Sequence, residues 1–194
     1  MAKQLERDWV TVYFERGIDV VNRRLFLVGD IDEGMIGDLI KGIYLMEHQD
    51  STKKIELFIN TYGGDVYETL ALYDTLQTVR CPVETVACGK IMSAGILLVA
   101  AGNKGTRYAT ENCSFMYHDV GTDQSNMTLT SAIKDVEHIK ELRLRLNRLI
   151  AKHSNKDAAF WGRISGSHGD SYFDVDTAIE YGVCDSIWNE KEGE

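Results

Sequence analysis

Residues 54–79 read "KIELFINTYGGDVYETLALYDTLQTV". The opening part, "KIELFIN" (54–60), is an apolar, β-prone run of strand length. "TYGGD" closes it, and two adjacent glycines supply a turn whose backbone can approach a ligand and donate N–H groups. Val66, Leu70, Tyr73, Leu76 and Gln77 then follow in helical turns over 66–79. Strand, glycine turn and helix in direct succession make one β–α unit.

The same grammar recurs on both sides. "RRLFLVG" (23–29) is a short buried strand ending in glycine. "DEGMIGDLIKGIYLMEHQD" (32–50) sets Met35, Ile36, Leu39, Ile40, Ile43 and Met46 at helical spacing. Pro82, the only proline, opens a strand in "VETVACG" (83–89). "GKIMSAGILLVAAGNKG" (89–105) follows as a buried helix, and "SFMYHD" (114–119) as a strand ending at His118. The clearest helix is "LTSAIKDVEHIKELRLRLNRLIAK" (129–152), where Leu129, Ile133, Val136, Leu142, Leu146, Leu149 and Ile150 recur. "FDVDTAIEYGVCDSI" (173–187) adds a helix, a glycine stop and a short strand. "WVTVYF" (9–14) is β-prone, a hairpin arm or a mobile segment. Strands alternating with helices predict an α/β fold with largely parallel pairing and right-handed crossovers.

The chain has 194 residues, 44% apolar and 26% charged, the balance of one globular domain. The net charge of −9 and the lack of a dense Lys/Arg stripe argue against nucleic acid or an anionic membrane as partner. The longest apolar run is about a dozen residues, short of the ~20 that a membrane helix needs. The start, "MAKQLERDWVTVYF", lacks the apolar stretch of a secretory signal. Cys81, Cys88, Cys113 and Cys184 form no C-x-x-C pair and show no metal-ligand spacing with histidine. Reduced, mostly buried thiols in a cytoplasmic setting are expected.

Ser93 is the one hydroxyl in the apolar run. It stands where strand gives way to helix, and a helix start directs free N–H groups at whatever lies before it. The N–H of Ala94 is the best placed to hold an oxyanion beside Ser93. Ile91 occupies the first glycine position of a G-x-S-x-G elbow, so the α/β-hydrolase motif is absent. A serine nucleophile needs a base and a group to orient it. His118 is a candidate base, with His48, His138, His153 and His168 as rivals. For the acid, Asp170, Asp119 and Asp65 rank alike, and local sequence leaves the choice open.

The order of segments resembles the ClpP family, the proteolytic subunits of the ATP-dependent Clp protease, over roughly residues 23–188. The matching pieces are "RLFLVGDID", "IELFINTYGGDV", "ALYDTLQTV", "GKIMSAGILLVAAGNKGTRYA", "SFMYHD" and "AIEYGVCDSI". Each is weak alone; collinear, they are specific. The resemblance implies a ClpP/crotonase-type fold of repeated β-β-α units, with an extended strand-helix handle around 119–152. It implies a segment at 1–22 that lines an axial pore, and a single protease domain over 23–194. It assigns Ser93 as nucleophile, His118 as general base and Asp170 as orienting acid, with the N–H groups of Gly63 and Ala94 as the oxyanion hole.

The resemblance further implies a cytoplasmic serine endopeptidase acting on unfolded polypeptides. It would assemble as two stacked heptameric rings and be fed by a AAA+ unfoldase such as ClpX or ClpA. ATP would be used by that partner, and this chain would need no cofactor or metal of its own. Tyr62, Asp65, Asp119, Val120 and Lys90 depart from the family pattern. Lys90 raises a serine–lysine dyad as a weaker alternative to the triad. The rival functions are a crotonase-fold acyl-CoA enzyme and a catalytically silent ring subunit.

Overall fold

The computed structural model describes residues 12–121, 128–166 and 169–189. Eight strands among these residues form one sheet. A short antiparallel hairpin begins it, β1 (Ile18–Asp19) against β2 (Arg24–Val28). The sheet therefore starts inside the segment read as N-terminal. Next come β3 (Ile55–Thr61), β4 (Val83–Met92), β5 (Arg107–Ala109) and, at the far edge, β8 (Ser186–Ile187), all parallel from β2 onward. The α/β expectation with parallel pairing holds.

The helices are α1 (Glu33–Gln49), α2 (Val66–Thr78), α3 (Gly95–Ala100), α4 (Leu129–His153), α5 (Ala158–Gly166) and α6 (Val175–Tyr181). Aspartates start several of them. Asp32 accepts from Met35 N, Asp65 from Tyr67 N and Glu68 N, and Asp174 from Thr177 N, each satisfying N–H groups that a first turn leaves unpaired. The central layer is dry: Leu25, Leu27, Ile36, Leu39, Ile43, Ile55, Leu57 and Ile59 are fully buried. So is α3 from end to end, which explains why its sequence lacks a polar face.

The strand that carries the serine differs from its expected form. Residues 89–92 are strand, not helix. β4 pairs with β5 over Thr85–Ala87, then turns and pairs with β6 (Ser114–Tyr117) over Lys90–Met92. Opposite this switch the β3 register slips between Ile59 and Thr61. Gly89, at φ +67°, makes the bend, and a Cβ there would stand 3.3 Å from Asn60 Nδ2. Apolar composition reads alike in a buried strand and a buried helix, so periodicity could not separate them.

Further differences lie at the edges. Residues 12–16 are helical, so the β-prone reading of 9–14 fails over 12–14, and 9–11 lie outside the described residues. β6 ends at Tyr117, leaving His118 just past the strand. In the handle, α4 is present, but 119–121 and 128 belong to no strand, and 122–127 lie outside the described residues. α5 was not read from sequence. Asp157 accepts from Phe160 N at its start, and Trp161 is fully buried within it.

Candidate active site

Ser93 joins β4 to α3 in a backbone conformation rare for a side-chain-bearing residue, φ +54°. Its N–H donates to Met116 O at 2.7 Å and its carbonyl accepts from Ile96 N at 3.2 Å. The neighbouring strand and the helix thus hold the turn from both sides. Such strain costs on the order of 1–3 kcal/mol and persists only where the surroundings over-determine it. The result is a hydroxyl projected out of a buried segment.

His118 meets it, with Nε2 2.7 Å from Ser93 Oγ. The pair forms because β4 and β6 run parallel with Met92 opposite Met116, so the residues that follow both strands emerge at the same end. Asp170 immediately precedes β7 (Ser171–Phe173), which pairs antiparallel with β6. Tyr117 faces Ser171 in that ladder, and continuing the register sets His118 opposite Asp170. Asp170 Oδ1 lies 3.9 Å from His118 Nδ1, an ionic contact beyond hydrogen-bond length.

The competing acids have other partners. Asp65 caps α2. Asp119 accepts from Val120 N at 2.8 Å and from Arg143 Nη1 at 3.0 Å, one bond to each oxygen. The competing histidines are elsewhere: His138 meets the Tyr67 hydroxyl, His153 meets that of Tyr73, and His48 ends α1. His168 lies outside the described residues. Lys90 Nζ sits 4.3 Å from the centroid of the Tyr62 ring in a cation–π contact, whereas the group that meets Ser93 Oγ is His118.

The glycine turn needs one correction. Gly63 lies against the nucleophile, and a Cβ on it would come within 2.7 Å of Ser93 Cβ. Its N–H, however, donates to Thr61 Oγ1 at 2.9 Å, so it does not serve as the free oxyanion donor expected of it. Gly64 forms an isolated parallel bridge with Ile31, made by Ile31 N to Gly63 O and Asp65 N to Ile31 O. A parallel bridge of this kind leaves the central residue's own N–H pointing away from its partner. The Gly64 N–H has no acceptor among the described residues, and neither has that of Ala94. The N–H groups left without a partner in the glycine turn and at the start of α3 are therefore those of Gly64 and Ala94.

A narrow cleft opens beside these groups, lined by Leu97, Val120, Leu146 and Ile150. The thiols take no part. Burial raises Cys113 to about 12 and also raises Cys88, so neither is a ready thiolate. The four cysteines are free, and no group of metal-binding side chains occurs among the described residues.

The family model described as Clp protease matches residues 14–191. The chain belongs to the Clp protease family. It is 29% identical over 184 residues to the "ATP-dependent Clp protease proteolytic subunit" of Lactococcus lactis subsp. lactis (strain IL1403), covering 89% of each chain. As a Clp protease it is a serine-type peptidase of mixed α/β fold. The acyl-CoA alternative calls for a carboxylate base, whereas the group touching Ser93 in this Clp protease is an imidazole. The unpaired N–H of Gly64 was not legible in the sequence, whose only signal was its place in a Gly-Gly pair. The contact of Arg143 with Asp119, next to His118, was likewise not legible there.

Proposed function

We propose that this Clp-family chain is an endopeptidase that cleaves unfolded polypeptides through an acyl-enzyme on Ser93. The observation that carries the reading is the 2.7 Å contact between Ser93 Oγ and His118 Nε2 at a strained strand–helix turn. Neutral His118 takes the Ser93 proton at Nε2 as Oγ attacks the peptide carbonyl. The N–H groups of Gly64 and Ala94 receive the developing oxyanion. His118 then gives the proton to the leaving amine, and water repeats the sequence to free the acid. Asp170 holds the Nδ1 proton and offsets the imidazolium charge. Its 3.9 Å separation has to shorten by about 1 Å to make a hydrogen bond, a tightening expected on substrate binding.

Assembly belongs to the same reading. On α4, Leu129, Ile133, Val136 and Leu144 are at least half exposed, an apolar stripe that a single chain leaves uncovered. This supports a handle that packs on another copy, an assembly we take to be two stacked heptameric rings. The name of the Lactococcus relative, an ATP-dependent Clp protease subunit, supports an ATP-consuming partner, which we take to be a AAA+ unfoldase of the ClpX or ClpA kind. ATP is then the partner's cofactor and this chain needs none. No helix among the described residues is long and apolar enough to cross a membrane, in keeping with a cytoplasmic setting.

The test is labelling with a fluorophosphonate followed by mapping of the adduct. Modification at Ser93, abolished in Ser93→Ala together with peptidase activity, is the expected result. An unlabelled protein, or peptidase activity that survives Ser93→Ala, overturns the reading.

A further inference from the structure

We infer that one turn of α4, carrying Arg143 and Asn147, positions His118 and sets its charge environment. The inference rests on the role of His118 proposed above. β6 leaves its ladder with β4 at Met116, and His118 lies beyond the last strand residue, Tyr117. The ladders with β4 and β7 carry the backbone as far as Tyr117 and leave the orientation of the imidazole itself to other contacts. The residues on either side of it are both gripped from α4. The Tyr117 hydroxyl donates to Asn147 Oδ1 at 2.7 Å in the buried interior, and Asp119 Oδ2 accepts from Arg143 Nη1 at 3.0 Å. Arg143 and Asn147 are one helical turn apart and so share a face. Side chains from a single rigid element thus bracket the base.

Arg143 reaches further. A Cβ on Gly166 would stand 3.8 Å from Arg143 Nη1, so the guanidinium lies beside the C-terminal end of α5, the element before Asp170 in the chain. A cation there is favoured by the helix dipole. The charged groups around His118 are Asp170 just before β7, Asp119 beside it in the chain, and Arg143 from α4. The Asp119 and Arg143 side chains are 43% and 36% exposed, a setting in which ion pairs add little stability. The value of this pair is geometric and local. Asp119 and Arg143 balance each other next to the base, while Tyr117–Asn147 supplies a neutral anchor. These are positioning residues, and none of them touches the reacting atoms.

The experiment compares full-length wild type with Asp119→Asn, Arg143→Gln, the double variant, and Tyr117→Phe in peptide hydrolysis across pH. Each single change is expected to lower kcat roughly 10- to 100-fold with little change in KM, as misplacement of a base does. Arg143→Gln leaves the Asp119 carboxylate unbalanced and favours the imidazolium, so the acid limb of the profile moves to higher pH. Asp119→Asn leaves Arg143 unbalanced and moves the limb to lower pH. The double variant restores the limb but not kcat, and Tyr117→Phe lowers kcat without moving the limb. Limb shifts of the same sign in the two charge variants, or none in either, overturn the inference, as does wild-type kcat in Tyr117→Phe. Tyr117→Phe and Asp119→Asn keep the test decisive if Arg143→Gln does not fold. Wild-type labelling at Ser93 is the control. Its absence sinks the underlying role of His118, whereas a labelled wild type with unmoved variants sinks only the positioning role.

Discussion

Thr61 and Asp170 decide more of the site than their places in the sequence suggest. Thr61 Oγ1 accepts the Gly63 N–H inside the protein, at zero exposure. Thr61→Val keeps the shape and strands that donor, which costs roughly 1–3 kcal/mol. Melting temperature is expected to fall while kcat stays within several-fold of wild type. A rise in kcat without a change in melting would return Gly63 to the oxyanion hole. In the proposed triad Asp170 acts through Nδ1 of His118, so Asp170→Asn is expected to lower kcat by roughly 10²- to 10⁴-fold and leave KM nearly unchanged. Wild-type turnover in Asp170→Asn would remove it from the triad. Ser93 itself was legible from sequence as a hydroxyl at a strand–helix junction. The acid was not, because Asp65, Asp119 and Asp170 differ only in what the folded chain brings beside them.

At the scale of elements, β5, β8, α3 and α4 meet at one buried arginine. Arg107 is 2% exposed and donates to both Asp185 oxygens, with further bonds to Ala100 O and His153 O. Burial opposes the charge on Asp185, but the Arg107 bonds and charge prevail and hold its carboxyl below its ordinary value. Burial, then the charges of Lys152 and Arg107, hold His153 below its ordinary value of 6.5. Both folded values lie below the unfolded ones, so both groups contribute stability that is intact at neutral pH. The His153 share is lost as pH falls below 6.5 toward its depressed value, and the Asp185 share at lower pH, through the carboxylate range. Melting temperature is expected to decline on acidification, and His153→Gln to flatten the first part of that decline. An unchanged slope in His153→Gln would contradict this. Of the elements themselves, α1, α2, α4 and α6 were legible because amphipathic periodicity is a local signal. The strand form of 89–92 was not, because it depends on pairing with β6, more than twenty residues on.

At the scale of the whole molecule, the apolar stripe on α4 and the Clp family membership lead to the same expectation. In solution the 21.9 kDa chain is expected to sediment as a high-order oligomer, and Ile133→Glu to dissociate it. Monomeric wild type at working concentration would refute the ring assembly. Deleting residues 2–14 is expected to change peptide entry or coupling to an unfoldase, and an unaltered rate of both would remove the pore-gating role. The α/β succession, the family and the serine could be read from the amino-acid sequence. Each is carried by residues adjacent in the chain or by the order of segments. Which acid faces His118, which glycine N–H is free, and that α4 grips both neighbours of His118 came from the fold. Those are matters of register and hydrogen-bond competition, in which a group's role depends on what distant strands and helices bring within about 3 Å of it.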